Sequence, residues 1–249
     1  MNSAYDRRVA FPTELGNSTS TGLRGTSPTI LIPVGSTEQH GPHLPLDTDT
    51  RIATAVARAA AGQLCGREGD EARFLVAPPI AYGASGEHQG FAGTVSIGTT
   101  VLTAVLLEYG RSACTWAGRL VFVNGHGGNV DALRAAVGRL RSEGRDAGWC
   151  SCAAEGGDAH AGHTETSVLL HVSPDDVRTR DWCRGNQEPL ASLMPRLRSG
   201  GVAAVSDVGV LGDPTTATRD EGARILAGMV AECLGRVERW RPDADGMLT

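Results

Sequence analysis

The chain reads as an α/β fold with a mostly parallel central sheet covered on both faces, and two patterns predict it. Short apolar runs, often β-branched, recur at "TILIPV" (29–34), "FLVAPPI" (74–80), "RLVFVNG" (119–125) and "GWCSCAA" (148–154), as strands buried on both sides require. Longer segments of helical periodicity alternate with them, which is the signature of strand–helix–strand units. A length of 249 residues supports a sizeable core, and we read residues 1–249 as one domain.

Each element follows in order. "DTRIATAVARAAAGQL" (49–64) is the helix after the first strand, and "TTVLTAVLLEYGRSACTWAG" (99–118) puts Leu102, Leu106, Tyr109, Ala113 and Trp116 on one stripe. "NVDALRAAVGRLRSEG" (129–144) covers the third crossover. The last helix, within 217–240, places Leu226, Val230, Cys233, Val237 and Trp240 at steps of three and four, an amphipathic face that closes the core. Between His171 and Thr215 periodicity is weak except for a short helix around "PLASLMPRLRS", so this region is expected to be long functional loops or an oligomer contact. Residues 1–10 and 241–249 are expected to fray.

Composition excludes several partners. The net charge is -5, and only eleven aromatic residues are present, too few for base-stacking platforms beside a basic stripe, so nucleic acid is not expected. The N-terminus lacks an apolar signal core and no run reaches the ~20 residues of a membrane span. A soluble, cytoplasmic protein without a membrane partner is the expectation. Six cysteines lack the paired spacings of a structural zinc site and read as reduced core thiols.

The chemistry concentrates in "PVGSTEQHGPHLPLDTDT" (33–50), where Glu38, His40, His43, Asp47 and Asp49 fall within twelve positions on a backbone stiffened by prolines. Glu38 and His40 follow the first strand, His126 of "VNGHGGN" follows the third, and His160 and Glu165 of "DAHAGHTETSVLL" follow the fourth. The carboxyl ends of neighbouring parallel strands meet at one edge, so residues remote in sequence can share a pocket there. Imidazoles mixed with carboxylates suit zinc, manganese or ferrous iron better than calcium or magnesium. Glu38 and His40 are two apart and could serve two adjacent ions, with Asp49, at a helix start, bridging them. "VNGHGGN" lacks the spacing and the lysine of a phosphate loop. His43 and Asp47 are more simply loop residues bonded to nearby backbone, and His171 and Glu188 are read as structural.

Four segments in order, "PVGSTEQHGPHLPLDTD", "GFAGTVSI", "VNGHGGN" and "HAGHTETS", resemble the creatininase family of metal-dependent amide hydrolases, over about residues 29 to 235. The resemblance implies a three-layer α/β sandwich, a closed homo-oligomer (often a hexamer) and two divalent ions per subunit that together cleave a C–N bond. It implies Glu38, Asp49 and His126 as ligands of the first ion, with Asp49 shared, and His40 as a ligand of the second. Creatininase completes the second site with a Glu two residues after its "NGH" histidine. That position here is Gly128, so Glu165 is expected to supply the carboxylate. His160 matches a substrate-side histidine that carries a proton, and Glu87, His88 and Gln89 are expected to line the substrate side.

Within the family, "STEQHGPHLPLDTDTRIATAV", "TELGNSTS" and "SDVGVLGDPTTAT" are most similar to a peptidase branch that cuts a modified ribosomal precursor peptide near its C-terminus. Two rivals stand beside it. One is a family amidohydrolase acting on a small cyclic amide or formamide, and the other is a non-catalytic metal-binding scaffold. A nucleotide-binding Rossmann protein is excluded by the missing glycine fingerprint.

Overall fold

A computed structural model describes residues 14–65 and 74–249. After a short helix α1 (Ser20–Leu23), the order is β1 (Thr29–Val34), α2 (Thr48–Cys65), β2 (Phe74–Val76), α3 (Gly98–Ala113), β3 (Arg119–Asn124), α4 (Val130–Ser142) and β4 (Ala147–Ser151). Then follow α5 (His163–Val172), α6 (Leu190–Gly200) and α7 (Arg219–Arg239). The four strands form one parallel sheet in the order β2-β1-β3-β4. Its longest pairing aligns Thr29 with Arg119 through to Val34 with Asn124.

Side-chain alternation along each strand divides the core in two. Leu31, Val121 and Cys150 pack with Val56, Val168 and Val230 of α2, α5 and α7 on one face. Ile30, Ile32, Phe122 and Trp149 pack with Leu102, Leu106 and Leu133 of α3 and α4 on the other. These side chains are essentially excluded from solvent, and each such Leu or Ile contributes about 1.5–3 kcal/mol relative to exposure. Helix, sheet and helix thus form three layers. No described helix is long and apolar enough to cross a membrane.

Several local differences have plain causes. "FLVAPPI" yields a strand of only three residues, because Pro78 and Pro79 cannot donate to a ladder. The stripe on α3 stops at Ala113, and Trp116 lies beyond the helix, partly exposed. The first ten residues lie outside the described ones, but the expected fraying of 241–249 is corrected. Leu248 is fully buried, its N–H donates to Trp149 O at 2.8 Å, and Trp149 N–H donates to Gly246 O at 3.0 Å. β4 would otherwise be a bare edge, and the tail covers it.

One close approach positions the site. A Cβ on Gly35, just past β1, would lie 2.4 Å from the Thr50 Cα. Only glycine lets the chain leaving β1 press against the first turn of α2, which brings Asp49 beside the ends of β1 and β3.

Candidate metal centre

The loop after β1 is closed by Glu38 N–H donating to Leu46 O at 2.9 Å and turns at Gly41, whose φ is +67°. It delivers Glu38 and His40 to the carboxyl edge of the sheet, both fully buried. Asp49 enters from the first turn of α2 and accepts a hydrogen bond from Ser36 Oγ at 2.7 Å. His126 arrives from the end of β3, where Asn124 and Asn129 hold the turn. Asn129 Nδ2 donates to Gly35 O, and its Oδ1 accepts from Ala84 N–H, both at 2.9 Å. His160 and Glu165 come from the entry to α5.

These groups converge. His40 Nε2 is 3.2 Å from Asp49 Oδ1 and 3.8 Å from Glu165 Oε2. His126 presents Nδ1 to Asp49 Oδ2 and Nε2 to Glu38 Oε2, each at 3.2 Å, so it spans two carboxylates with different nitrogens. His160 Nδ1 is 3.9 Å from Glu38 Oε1. The rings of His40, His160 and His88 form a column, with neighbouring centroids 4.4 and 4.3 Å apart. Among the described residues, donor atoms gather within reach of one ion in three groups: Glu38, His40 and Asp49; His40, His160 and Glu165; and Glu38, His88 and His160.

The electrostatics follow from burial and crowding. Burial pushes the Glu38 carboxyl up to about 7, against the opposing pull of His126 and His40. Burial likewise raises Glu165 to about 7, opposed by His40. Desolvation works against charge on His40 and His126, but the carboxylates beside them win and raise them to about 10 and about 9. Asp49 resists the upward push of its burial because His40 and His126 hold it well below the usual carboxylate range. Burial, followed by neighbouring imidazolium charge, lowers His88 to about 3 and His160 well below its ordinary value.

A divalent cation fits this donor set. Both oxygens of the fully buried Glu38 carboxylate lack a hydrogen-bond partner, a costly arrangement for a group with two acceptor atoms. Imidazole nitrogens surround it, the mixed donor set that borderline metals take.

The remaining sequence-derived candidates separate. Glu87 lies 3.5 Å from His126 Nε2 and lines the cavity over the centre. His88, expected on the substrate side, is buried with Nε2 3.3 Å from Glu38 Oε1, so it belongs as much to the donor cluster. Gln89 is exposed and does not line that cavity. His43 is fully buried and bonds Thr166 Oγ1 of α5 at 2.8 Å, and Asp47 pairs with the Arg51 side chain of α2, so helix side chains hold both where nearby backbone was expected. Gln39 was not singled out from sequence. Its Oε1 accepts Gly41 N–H at 2.9 Å and its Nε2 donates to Gly209 O at 3.1 Å, lying 2.8 Å from His88 Nδ1. Its place between two candidate ligands in "EQH" was the available signal, but alternation along an extended segment directs it away from them.

The centre opens into a cavity of about 670 Å³ whose floor carries Asp49, His126, His160 and Glu165 and whose opposite wall is α6. A second chamber of about 760 Å³, whose walls mix Asp158, His163 and Asn186 with Ile52, Leu211 and Met229, adjoins it and shares Gly127 and Glu165.

The family model described as Creatininase: Creatinine amidohydrolase matches residues 17–237. The chain belongs to the creatininase family. It is 68% identical over 250 residues, covering 100% of both chains, to a protein of Mycobacterium ulcerans (strain Agy99) described as "Mycofactocin precursor peptide peptidase". Among solved structures it resembles "Creatininase Mn" at a TM-score of 0.74 and 25% identity, covering 93% of this chain and 100% of that one. A mutant creatininase of "Zn-Zn type" superposes with a TM-score of 0.75 at 24% identity, over 93% and 99% of the two chains, a likeness of fold. The α/β expectation and the family reading from sequence both hold.

Proposed function

We propose that this chain is a metal-dependent peptidase of mycofactocin biosynthesis that hydrolyses a peptide bond near the C-terminus of a modified ribosomal precursor peptide. Identity of two thirds along the full length with a peptidase so described supports the substrate. The single observation that carries the chemistry is the buried Glu38 carboxylate, whose oxygens face the imidazoles of His126 and His88 at 3.2 and 3.3 Å yet accept no hydrogen bond.

In this reading, which follows family likeness, Glu38, Asp49 and His126 would hold one divalent ion and His40, Asp49 and Glu165 a second, drawn from zinc, manganese and ferrous iron. The donor atoms already gathered for one ion set Glu38 and Asp49 with His40, and His126 would join by closing on Asp49 and Glu38 from 3.2 Å. Such ions supply Lewis acidity, acidifying a water and polarising the scissile carbonyl. The chain's own groups do the rest. Asp49 is fixed by Ser36 Oγ so that its two oxygens face His40 and His126 separately. His160 lines the cavity with Nδ1 3.9 Å from Glu38 Oε1, a position from which an imidazole can accept the proton of the attacking water and return it to the departing nitrogen. Glu87 borders the same cavity on the substrate side. No serine or cysteine nucleophile is needed.

A cavity of about 670 Å³ with a second chamber beside it favours a peptide over a small cyclic amide or formamide. The subunits are proposed to assemble as a closed homo-oligomer, a hexamer on family likeness, and partly exposed Val101 and Val105 on α3 offer apolar surface for it. The test is incubation of metal-reconstituted protein with the modified precursor peptide, followed by mass analysis. Two fragments whose masses sum to peptide plus one water are expected, and peptide left intact at full metal loading would sink the reading.

A further inference from the structure

The floor of the cavity contains glycines of two kinds. Gly125 and Gly128 are obligatory, since a Cβ there would stand 2.4 Å from Asp49 O and 2.2 Å from Ala84 O. Gly86 and Gly127 are under no such demand. Neither adopts a positive φ, and a Cβ on either meets no heavy atom within 4 Å. Each begins a short 3-10 turn at the cavity's edge, Gly86–His88 and Gly127–Asn129, where glycine is entropically unfavourable unless something uses its openness. Both line the cavity above the donor cluster, so the space they leave free is cavity space.

The opposite wall has the complementary character. Leu190, Met194 and Leu197 lie at steps of four and three on α6 and line the same cavity, forming one helical stripe. Leu190 is 47% exposed. The helix is held from behind by Leu193, which packs with Val205 and Leu211 in a small core of its own. An apolar stripe turned to an open cavity, continued by Val202 and Leu211, is matched by an apolar group from outside the chain.

Resting on the peptidase reading, we propose that the open ledge at Gly86 and Gly127, together with the Leu190–Met194–Leu197 stripe, is a specificity subsite for a bulky apolar side chain adjoining the bond that is cut. Gly127 borders both chambers, which sets the peptide across this ledge with the apolar residue on the α6 side.

The experiment compares synthetic peptides spanning the cut that carry Ala, Leu or Phe at each of the two flanking positions. It uses zinc-loaded wild type, Gly127→Val, Gly86→Val and Met194→Ala, with zinc content and melting temperature measured in parallel. Wild type is expected to prefer Leu or Phe over Ala at one flanking position by roughly tenfold or more in kcat/KM, the scale on which hydrophobic pockets discriminate. Each valine variant should lower that preference at least tenfold, chiefly through KM, with zinc content unchanged. Met194→Ala should move the optimum toward Phe. Wild-type cleavage with no such preference, or a preference that both valine variants leave unaltered, overturns the subsite alone. Failure of wild type to cut any peptide, the modified precursor included, removes the peptidase reading and the subsite with it.

Discussion

The two walls of the cavity are built by opposite strategies. The floor is made of loops that leave β1, β3 and β4, and its side chains are fixed by buried polar contacts such as Ser36 Oγ to Asp49 and Asn129 to Gly35 O. The opposite wall is one helix, α6, held chiefly by Leu193 in a small satellite core and facing the cavity with Leu190, Met194 and Leu197 beside Arg198 and Ser199. In the proposed reading, chemistry that depends on fixed distances sits on the shared sheet edge, while the surface that meets a variable substrate hangs on a lightly anchored element. Substitutions of the donor side chains on the floor should therefore destroy function outright, and those on α6 should tune it.

The largest effect is expected for Asp49→Asn, which keeps the shape of the one carboxylate facing both His40 and His126. Metal content measured by mass spectrometry should fall, and activity should drop by more than the roughly 10–100-fold typical of outer-shell partners. Full metal content with ordinary turnover would remove Asp49 from the centre. His160→Ala comes next, with kcat expected to fall by roughly 10²–10⁴-fold while both ions remain bound. Metal lost along with turnover would make His160 a ligand.

Acidity sharpens the comparison further, because only the floor titrates. In the metal-free protein His40 and His126 are raised to about 10 and about 9 by their carboxylate neighbours, so below those values both carry a proton that a cation must displace. Affinity should rise with pH up to about 9, by roughly tenfold per unit for each proton released. Calorimetry in buffers of different ionisation enthalpy counts those protons, and pH-independent binding contradicts the arrangement. Folding of the metal-free chain has the reverse sign. Raised imidazole pKa values stabilise it fully below about 6.5, and that contribution is lost as pH climbs through about 9 to 10. The smallest effect on chemistry belongs to Leu193→Ala. It removes the anchor of α6 at a cost of about 2–3 kcal/mol, and should lower the melting temperature and raise KM with metal content unaltered.

The same contrast explains what the sequence revealed. Glu38, His40, Asp49, His126, His160 and Glu165 were legible because each follows an apolar run or opens a helix, and parallel topology brings those points to one edge. His88 and Gln39 were less so. His88 reaches Glu38 from a 3-10 turn with no strand before it, and Gln39 turns back toward the cluster through a bond to Gly209 O, 170 residues away, that no local pattern announces. The segment 171–215 showed weak periodicity because α6 buries only Leu193 fully, and one buried position makes no repeat. The C-terminal residues read as frayed because Pro, Asp and Gly signal a turn, and nothing local announces that β4 lacks a neighbour.

That tail gives the sheet a protective hem. With Met247 and Leu248 lying along Trp149, the outermost strand has both backbone groups of its middle residue already paired. Shortening the protein at Trp240 would do more than loosen a terminus. It would uncover a sticky border and invite strand-to-strand association between molecules.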